Sequence, residues 1–286
     1  MRLGKFLHLL VVTDIYASLI AVAVPVISAA VLGLSLEPAV AFAVFFESLA
    51  IYALNRAVDR DIDRINNPER TEFVVRNGGL VLVFSLLGLL ASLAYFAAAS
   101  LPAFLLLSAN FIASMLYSFP VLPGFLGFTR LKELFVGKNI CVGVMYAAFA
   151  LIPVLYAGAP LSPAAWIVFV FIAARLFLVS AVFDMRDVEG DARLGIPTIP
   201  VAIGAGSALL LLNMINAGTF ILALVSWAYG ALPYAFVFMS AATSLFGLYY
   251  LLESQKNNAD LRFICGVVAE ADIVPAALVA ALLLIH

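Results

Sequence analysis

The fold is decided most directly by residues 163–191, PAAWIVFVFIAARLFLVSAVFDMRDVEGD. The first part of this stretch, residues 163–183, is apolar apart from Arg175 and one serine. A helix needs about 20 such residues to cross the hydrocarbon core of a bilayer. The apolar run then stops at three aspartates, Asp184, Asp187 and Asp191. The stretch therefore predicts a membrane-spanning helix that ends in a concentration of negative charge.

The composition of the whole chain supports a membrane location. Of its 286 residues, 65% are hydrophobic and only 11% are charged, whereas soluble domains average about 45–50% apolar and about 25% charged residues. The chain has too few polar side chains to cover a water-facing surface, which excludes a soluble enzyme, a nucleic-acid binder and a secreted disulfide scaffold. Cys141 and Cys265 lie in apolar runs and are interpreted as small buried residues, not as a disulfide or metal site.

Apolar runs separated by glycine, proline and polar breaks predict an all-α integral membrane protein. We expect a single domain over residues 1–286, with nine transmembrane helices in one bundle. The predicted helices cover residues 6–33, 38–57, 77–99, 102–119, 132–157, 163–183, 204–229, 231–252 and 262–285. Residues 6–33 form too long an apolar run for a signal peptide, and the short alternating segments of a β-barrel are absent from the sequence.

The positive charges predict how the bundle is oriented. If the N-terminus is cytoplasmic, 14 of the 15 lysines and arginines fall in cytoplasmic loops or near the cytoplasmic ends of helices, and Arg175 falls in the cytoplasmic half of the sixth helix. The opposite loops, near residues 34–37, 99–102, 157–163 and 229–232, contain none. Because basic residues accumulate on the cytoplasmic side of membrane proteins, we expect a cytoplasmic N-terminus in a multi-pass protein of the plasma membrane.

Two groups of carboxylates follow the second and sixth predicted helices. The first motif is Asn55, Asp59 and Asp63, spaced i, i+4 and i+8. The second motif is Asp184, Asp187 and Asp191, spaced i, i+3 and i+7. Both spacings place the side chains along one face of a helix. Four helices separate the motifs in the chain, so we expect both at the cytoplasmic face.

Aligned carboxylates repel one another unless a cation lies between them. Mg²⁺ prefers oxygen ligands and binds through one or two carboxylates while it shares other positions with substrate phosphates. Neighbouring arginines are suited to bind the remaining phosphate oxygens; they are Arg56, Arg60, Arg64, Arg186 and Arg193. Two such motifs on one face therefore predict a diphosphate site. The alternative for either motif alone is a solvated charged loop held by local Asp–Arg pairs.

At these residues the chain resembles the UbiA superfamily of intramembrane prenyltransferases, whose members carry two aspartate-rich motifs on a nine-helix bundle. Three further stretches resemble the family: Arg64-Ile-Asn-Asn-Pro-Glu-Arg70, Leu116-Tyr-Ser-Phe-Pro120, and Arg130-Leu-Lys132 followed by Lys138-Asn139. The sequence departs from the family at Arg56, where many members have aspartate. It departs again at Thr13-Asp14, where an Arg-Pro pair is common. These departures concern the acceptor more than the donor.

The resemblance implies Mg²⁺-dependent transfer of an isoprenyl group from its diphosphate to a lipophilic acceptor, either an aromatic quinone precursor or a glycerol-phosphate ether lipid precursor. It implies metal binding by Asn55, Asp59, Asp63, Asp184, Asp187 and Asp191. It implies diphosphate binding by Asn55, Arg60, Arg64, Lys132 and Lys138. Catalysis is expected to involve Asp59, Asp63, Asp187, Asp191 and Tyr117. The ring of Tyr117 is suited to stabilise an allylic cation. The alternative for Tyr117 is a tyrosine of the membrane–water interface without a catalytic role.

Four further acids lie inside predicted helices: Asp14, Glu47, Glu270 and Asp272. Charges within a membrane usually face the bundle interior, so these acids are expected to line an acceptor cavity or to pair with Arg175. They also fit a transporter, but transporter sites lie near the midplane on broken helices, whereas the acids here concentrate at one face. A purely structural membrane protein has no need of two carboxylate motifs.

Overall fold

The computed structural model describes residues 2–60, 68–123, 125, 128–194, 196–256 and 258–285. Within these ranges nine helical segments are long and apolar enough to cross a membrane, which confirms the predicted all-α architecture. They are α1 (Ile15–Leu32), α2 (Pro38–Val58), α3 (Thr71–Ala99), α4 (Leu101–Ser118), α5 (Gly137–Tyr156), α6 (Pro163–Arg193), α7 (Ala205–Ala228), α8 (Tyr234–Glu253) and α9 (Leu261–Leu284).

Two helices continue well beyond their apolar runs. The helix that contains α3 begins at Pro68, nine residues before the predicted start at 77, and the helix that contains α6 continues to Leu194 instead of ending near 183. Outside hydrocarbon a polar helix is permitted because water solvates its charged side chains. The second motif therefore lies on a helix, which fixes the relative positions of its three aspartates.

The turn between α1 and α2 shows how local sequence ends and restarts a helix. Gly33 adopts a left-handed conformation with φ of 65°, and the amide of Leu34 donates to the carbonyl of Ala29 at 2.9 Å. Glycine accepts this conformation without the steric penalty of a Cβ. Pro38 then lies in the first turn of α2, where its missing N–H removes no helical hydrogen bond.

The bundle buries both small and large apolar side chains between its helices, and it also presents many large apolar side chains outward. α2 packs against α3, α5 against α6, and α7 against α8. Leu80 is 76% exposed, Leu245 69% and Leu282 62%. Such a surface is unfavourable in water and is expected of side chains that contact lipid. The chain is thus a multi-pass membrane protein.

Two of the spans are interrupted near the site described below. The predicted span over residues 6–33 is not continuous, because a first helix, Arg2–Val12, ends before α1 begins. Asp14 lies at this break with φ of 59°, a conformation that aspartate tolerates better than most residues. In α9, residues Ile264–Ala269 form a π-helical turn, and regular α-helix resumes at Val274.

Candidate active site

The first motif lies at the end of α2. Asn55 is in the last turn of this helix and Asp59 caps its C-terminus. The Asp59 carboxylate contacts Arg130 Nη1 at 3.2 Å and also Lys132 Nζ. The side-chain oxygen of Asn55 is buried and has no hydrogen-bond partner among the described residues. The predicted site residues Asp63 and Arg64 lie outside the described residues.

The second motif lies along the polar extension of the helix that contains α6. Asp184 is fully buried, forms an ion pair with Lys138 and accepts a hydrogen bond of 3.0 Å from Asn139. Asp187 accepts two hydrogen bonds of 2.7 Å from the neighbouring Arg186. Asp191, one turn further along, is also buried. The motif is thus held in place by basic and amide groups.

One short segment connects the two motifs. Arg130 and Lys132 contact Asp59 of the first motif, and six residues after Lys132 the side chain of Lys138 contacts Asp184 of the second. Six residues span at most about 20 Å even when fully extended. Tyr117 is within electrostatic range of both Asp59 and Asp184. The two motifs therefore lie at the same end of the bundle, as the four helices between them in the chain predicted.

The connecting segment contains an unusual backbone conformation. Val136 has φ of 58°, which is rare for a β-branched residue. Such strain concentrates at functional sites, where the surrounding structure maintains it. Here it lies two residues before Lys138.

At the other end of the segment Glu133 is exposed and accepts hydrogen bonds from Thr129 and Arg130, which lower the pKa of its carboxyl group below the usual value.

A cavity of about 420 Å³ opens beside the motifs. Basic and acidic groups of the site line its wall, namely Arg56, Lys138, Arg186 and Asp187. Arg186 also lies over the ring of Phe183, 5.1 Å from its centroid. Two other predicted arginines are not part of this wall: Arg60 is exposed, and Arg193 is exposed and lies 3.8 Å from Glu189.

The deeper wall of the large cavity carries two acids of the spans. Asp14 lies 3.6 Å from Arg56, and Glu270 accepts a hydrogen bond of 3.2 Å from the Tyr52 hydroxyl. Both acids line the cavity, as does Tyr16, whose hydroxyl donates to the carbonyl of Val267 at 2.8 Å. This wall offers carboxylates and phenols, whereas the wall near the motifs offers cations.

A smaller cavity of about 110 Å³ extends from Asn55 of the first motif into the bundle. Asn55 and Tyr117 line one part of it, and the apolar residues Met145 and Phe149 line another. Tyr52, Val142 and Tyr146 line both cavities. The hydroxyl groups of Tyr52 and Tyr146 are in hydrogen-bond contact. A pair of tyrosines thus forms a partition between the small cavity and the large one.

The other two acids of the spans have structural partners. Glu47 is fully buried and accepts a hydrogen bond of 2.8 Å from Asn110. Asp272 accepts a hydrogen bond of 2.8 Å from Arg175 Nε and a second contact from the same guanidinium. The expected pairing with Arg175 is therefore made by Asp272, while Asp14 and Glu270 line the cavity.

The donor set is compatible with Mg²⁺ shared with a phosphate ligand. Among the residues that the structure describes, no three His, Cys, Asp or Glu side chains are close enough together to enclose a metal ion. Mg²⁺ does not require such an enclosure, because it is usually bound by one or two carboxylates, water and phosphate. The unpartnered oxygen of Asn55 and the carboxylates of both motifs are oxygen donors of the kind it prefers.

Comparison with known proteins identifies the family to which the chain belongs. A sequence model described as the UbiA prenyltransferase family matches residues 13–269. The chain belongs to the UbiA prenyltransferase family. It is 30% identical over 233 residues to a digeranylgeranylglyceryl phosphate synthase of Natronomonas pharaonis, a match that covers 77% of this chain and 72% of the relative.

Solved structures share the fold of this UbiA prenyltransferase. A UbiA homolog from Archaeoglobus fulgidus bound to GPP and Mg²⁺ has a TM-score of 0.64 and 20% identity, with 95% of this chain and 98% of that chain covered. A structure of a digeranylgeranylglyceryl phosphate synthase has a TM-score of 0.57 and 18% identity, with 92% and 98% covered.

Sequence reasoning missed several residues of the UbiA site. Tyr52 had a detectable signal, because it lies three residues before Asn55 and so on the same side of α2. Asn139 was noted only as part of a family-like pair, and its contact with Asp184 was not anticipated. Tyr146 carries no signal in the sequence, because a single tyrosine in an apolar run is equally compatible with a core position.

Proposed function

We propose that this prenyltransferase transfers an isoprenyl group from its diphosphate to a lipophilic acceptor with Mg²⁺, at the cytoplasmic face of the plasma membrane. The observation that carries the proposal is that one segment, from Arg130 to Asn139, contacts Asp59 of the first motif and Asp184 of the second. This feature distinguishes the proposal from a transporter, whose site is expected near the midplane.

The diphosphate is proposed to bind between the two motifs. Asn55, Asp59 and Asp63 on one side and Asp184, Asp187 and Asp191 on the other would hold Mg²⁺, which neutralises charge on the leaving diphosphate. Lys132, Lys138 and Arg186 contact the motif carboxylates and are proposed to donate to phosphate oxygens. Of the residues expected from the sequence, Arg60 has the least support, because it is exposed.

The isoprenoid tail is proposed to occupy the small cavity. This cavity begins at Asn55 and Tyr117, beside the motifs, and is lined elsewhere by Ile51, Met145 and Phe149. An apolar tail gains free energy in such surroundings, about 25 cal/mol for each Å² removed from water. The Tyr117 ring then lies near the allylic carbon, where its negative face stabilises developing positive charge.

The large cavity is proposed to receive the acceptor, since it is separated from the small cavity by Tyr52 and Tyr146. Of the two acceptor classes, a glycerol-phosphate ether lipid precursor is the better supported. The relative from Natronomonas pharaonis and one of the solved structures are both named digeranylgeranylglyceryl phosphate synthase. An aromatic quinone precursor is the second candidate.

The proposal is tested by radiolabelled geranylgeranyl diphosphate incubated with a glycerol-phosphate ether lipid precursor and, separately, with hydroxybenzoate. We expect label in the ether lipid, no transfer in excess chelator, and recovery when Mg²⁺ is restored. Full activity in excess chelator contradicts the metal role. Label only in the aromatic compound assigns the other acceptor class.

A double-mutant cycle tests whether both motifs bind the same diphosphate. Asp59→Ala and Asp187→Ala should each abolish transfer, and the double variant should bind a non-hydrolysable donor analogue little worse than the weaker single variant. Residues that share one network show coupling on the order of 1–3 kcal/mol, and losses from groups that act as a unit are not additive. Glu189→Ala is the matched control, because Glu189 lies on the same helix but its side chain is 90% exposed. Strict additivity would mean two separate sites.

A further inference from the structure

The start of α9 places one acid at the end of a π-helical turn. The amide of Glu270 donates to the carbonyl of Cys265, five residues earlier, at 3.3 Å, and the turn covers Ile264–Ala269. Such turns insert one extra residue into a helix and are frequent at functional sites. Here the turn changes the direction of the side chains that follow it, and Glu270 lines the large cavity.

The depth of Glu270 relative to the motifs suits a group that acts on the acceptor. Glu270 accepts a hydrogen bond from Tyr52 at 3.2 Å, and Tyr52 lies seven residues before Asp59 on α2. Seven residues correspond to about 10 Å along a helix. This separation leaves room for a diphosphate between the motif carboxylates and Glu270, with the reacting carbon on the Glu270 side.

The surroundings of Glu270 differ from those of the other acids in the spans. Asp14, Glu47 and Asp272 are buried. Glu270, by contrast, is only half-buried, lines the large cavity and accepts a hydrogen bond from the Tyr52 hydroxyl. A carboxylate that a bound molecule can reach from a cavity is suited to accept a proton from that molecule.

We propose that Glu270 is the catalytic base of the transfer and that the acceptor is an alcohol, an inference that rests on the proposed prenyl transfer. The acceptor O–H bond breaks and its proton moves to the Glu270 carboxylate. The oxygen lone pair forms a C–O bond to the allylic carbon. The bond from that carbon to diphosphate oxygen breaks, and its electron pair leaves with the diphosphate. The proton then passes from Glu270 to water in the cavity.

The two tyrosines of the partition act as positioning residues in this step. Tyr52 donates to Glu270 and its hydroxyl is also in contact with that of Tyr146. Together they fix the carboxylate beside the boundary between the two cavities, where an acceptor in the large cavity meets a donor in the small one.

The test compares Glu270→Gln and Glu270→Asp with the wild type and with Glu253→Gln, a matched control at the end of α8. Glutamine keeps the shape and an acceptor oxygen for Tyr52 but is not basic. With an ether lipid alcohol as acceptor, we expect kcat of Glu270→Gln to fall by about 10²–10⁴-fold, with aspartate intermediate and Glu253→Gln unchanged. The KM for the acceptor and the affinity for a non-hydrolysable donor analogue with Mg²⁺ should stay near the wild-type values.

Four results would overturn the inference, and a fifth concerns the proposed function alone. The first is a kcat of Glu270→Gln equal to that of the wild type. The second is a loss of donor affinity or thermal stability in Glu270→Gln, which would assign Glu270 a structural role. The third is a Glu270→Asp variant as inactive as Glu270→Gln, and the fourth is transfer to an aromatic ring but not to an alcohol. If the wild type itself transfers no isoprenyl group to any acceptor, the proposed function fails before the variants are compared.

Discussion

The buried ion pair between Arg175 and Asp272 gives the sharpest test of how the bundle is held together. Arg175 is fully buried. Its guanidinium contacts both Asp272 oxygens, while Asn216 and Thr219 accept from the same group. Tyr250 donates to Asp272 at 2.9 Å. Replacement of Asp272 by alanine leaves a guanidinium in the interior without its counter-charge.

The expected loss of stability follows from that arrangement. Removal of one partner of a buried ion pair costs about 3–5 kcal/mol, whereas a single hydrogen bond between membrane helices averages about 0.6 kcal/mol. Asp272→Ala should therefore lower the free energy of unfolding by about 3–5 kcal/mol, most of it from the uncompensated charge. Arg175→Met combined with Asp272→Leu should recover most of the loss, because apolar replacements of both partners are often neutral.

Unfolding by increasing SDS in mixed micelles measures these changes. Glu72→Ala is the matched control: Glu72 pairs with Arg76 at 2.7 Å, but both side chains are mostly exposed, so its loss should cost less than about 1 kcal/mol. Gly247→Ala tests the packing of the same network, since an added Cβ would lie 2.7 Å from Arg175 Nη2. The reasoning is refuted if Asp272→Ala behaves like Glu72→Ala, or if the double variant is as unstable as the single one.

The remaining predictions concern packing and topology. Gly143→Leu should separate α5 from α6 and destabilise the protein by about 1–3 kcal/mol, because a Cβ at this position would lie 2.5 Å from the carbonyl oxygen of Ala173; an unchanged unfolding midpoint in SDS contradicts this close contact. In a variant that lacks both native cysteines, a cysteine at Phe128 should react with an impermeant thiol reagent from the cytoplasmic side and one at Ser100 only from the opposite side. Labelling of both from one side contradicts the proposed topology.

Much of the fold was predictable from the sequence because hydrocarbon leaves a chain few alternatives to helices. The runs at 102–119 and 204–229 correspond closely to α4, Leu101–Ser118, and α7, Ala205–Ala228. The interruptions were not predictable in the same way. Asp14 and the π-helical turn at Ile264–Ala269 lie inside apolar runs, and hydropathy does not report a change of backbone conformation.

The acidic motifs were predictable because their spacing is local, and a spacing of three or four residues fixes one face of a helix. The partners of those carboxylates were harder to assign. Lys138 was expected to bind phosphate, and its ion pair with Asp184 depends on how α5 packs against α6. The pairing of Tyr52 with Glu270 joins residues 218 positions apart in the chain. Contacts of this kind depend on tertiary packing, which a single sequence does not specify.

The two acids of α9 connect the stability of the bundle to its proposed chemistry. Glu270 and Asp272 are two residues apart, and side chains at this spacing point to nearly opposite sides of a helical turn. One side faces the cavity and the other faces Arg175. Arg175 lies nine residues before Asp184 on α6, about 13 Å deeper along the helix. The ion pair therefore fixes the rotation of α9 against the helix that carries the second motif. A rotation of α9 that turned Glu270 away from the cavity would also break the ion pair with Arg175. Because a broken ion pair would leave uncompensated buried charges, this rotation is unfavourable and the proposed base stays directed at the cavity.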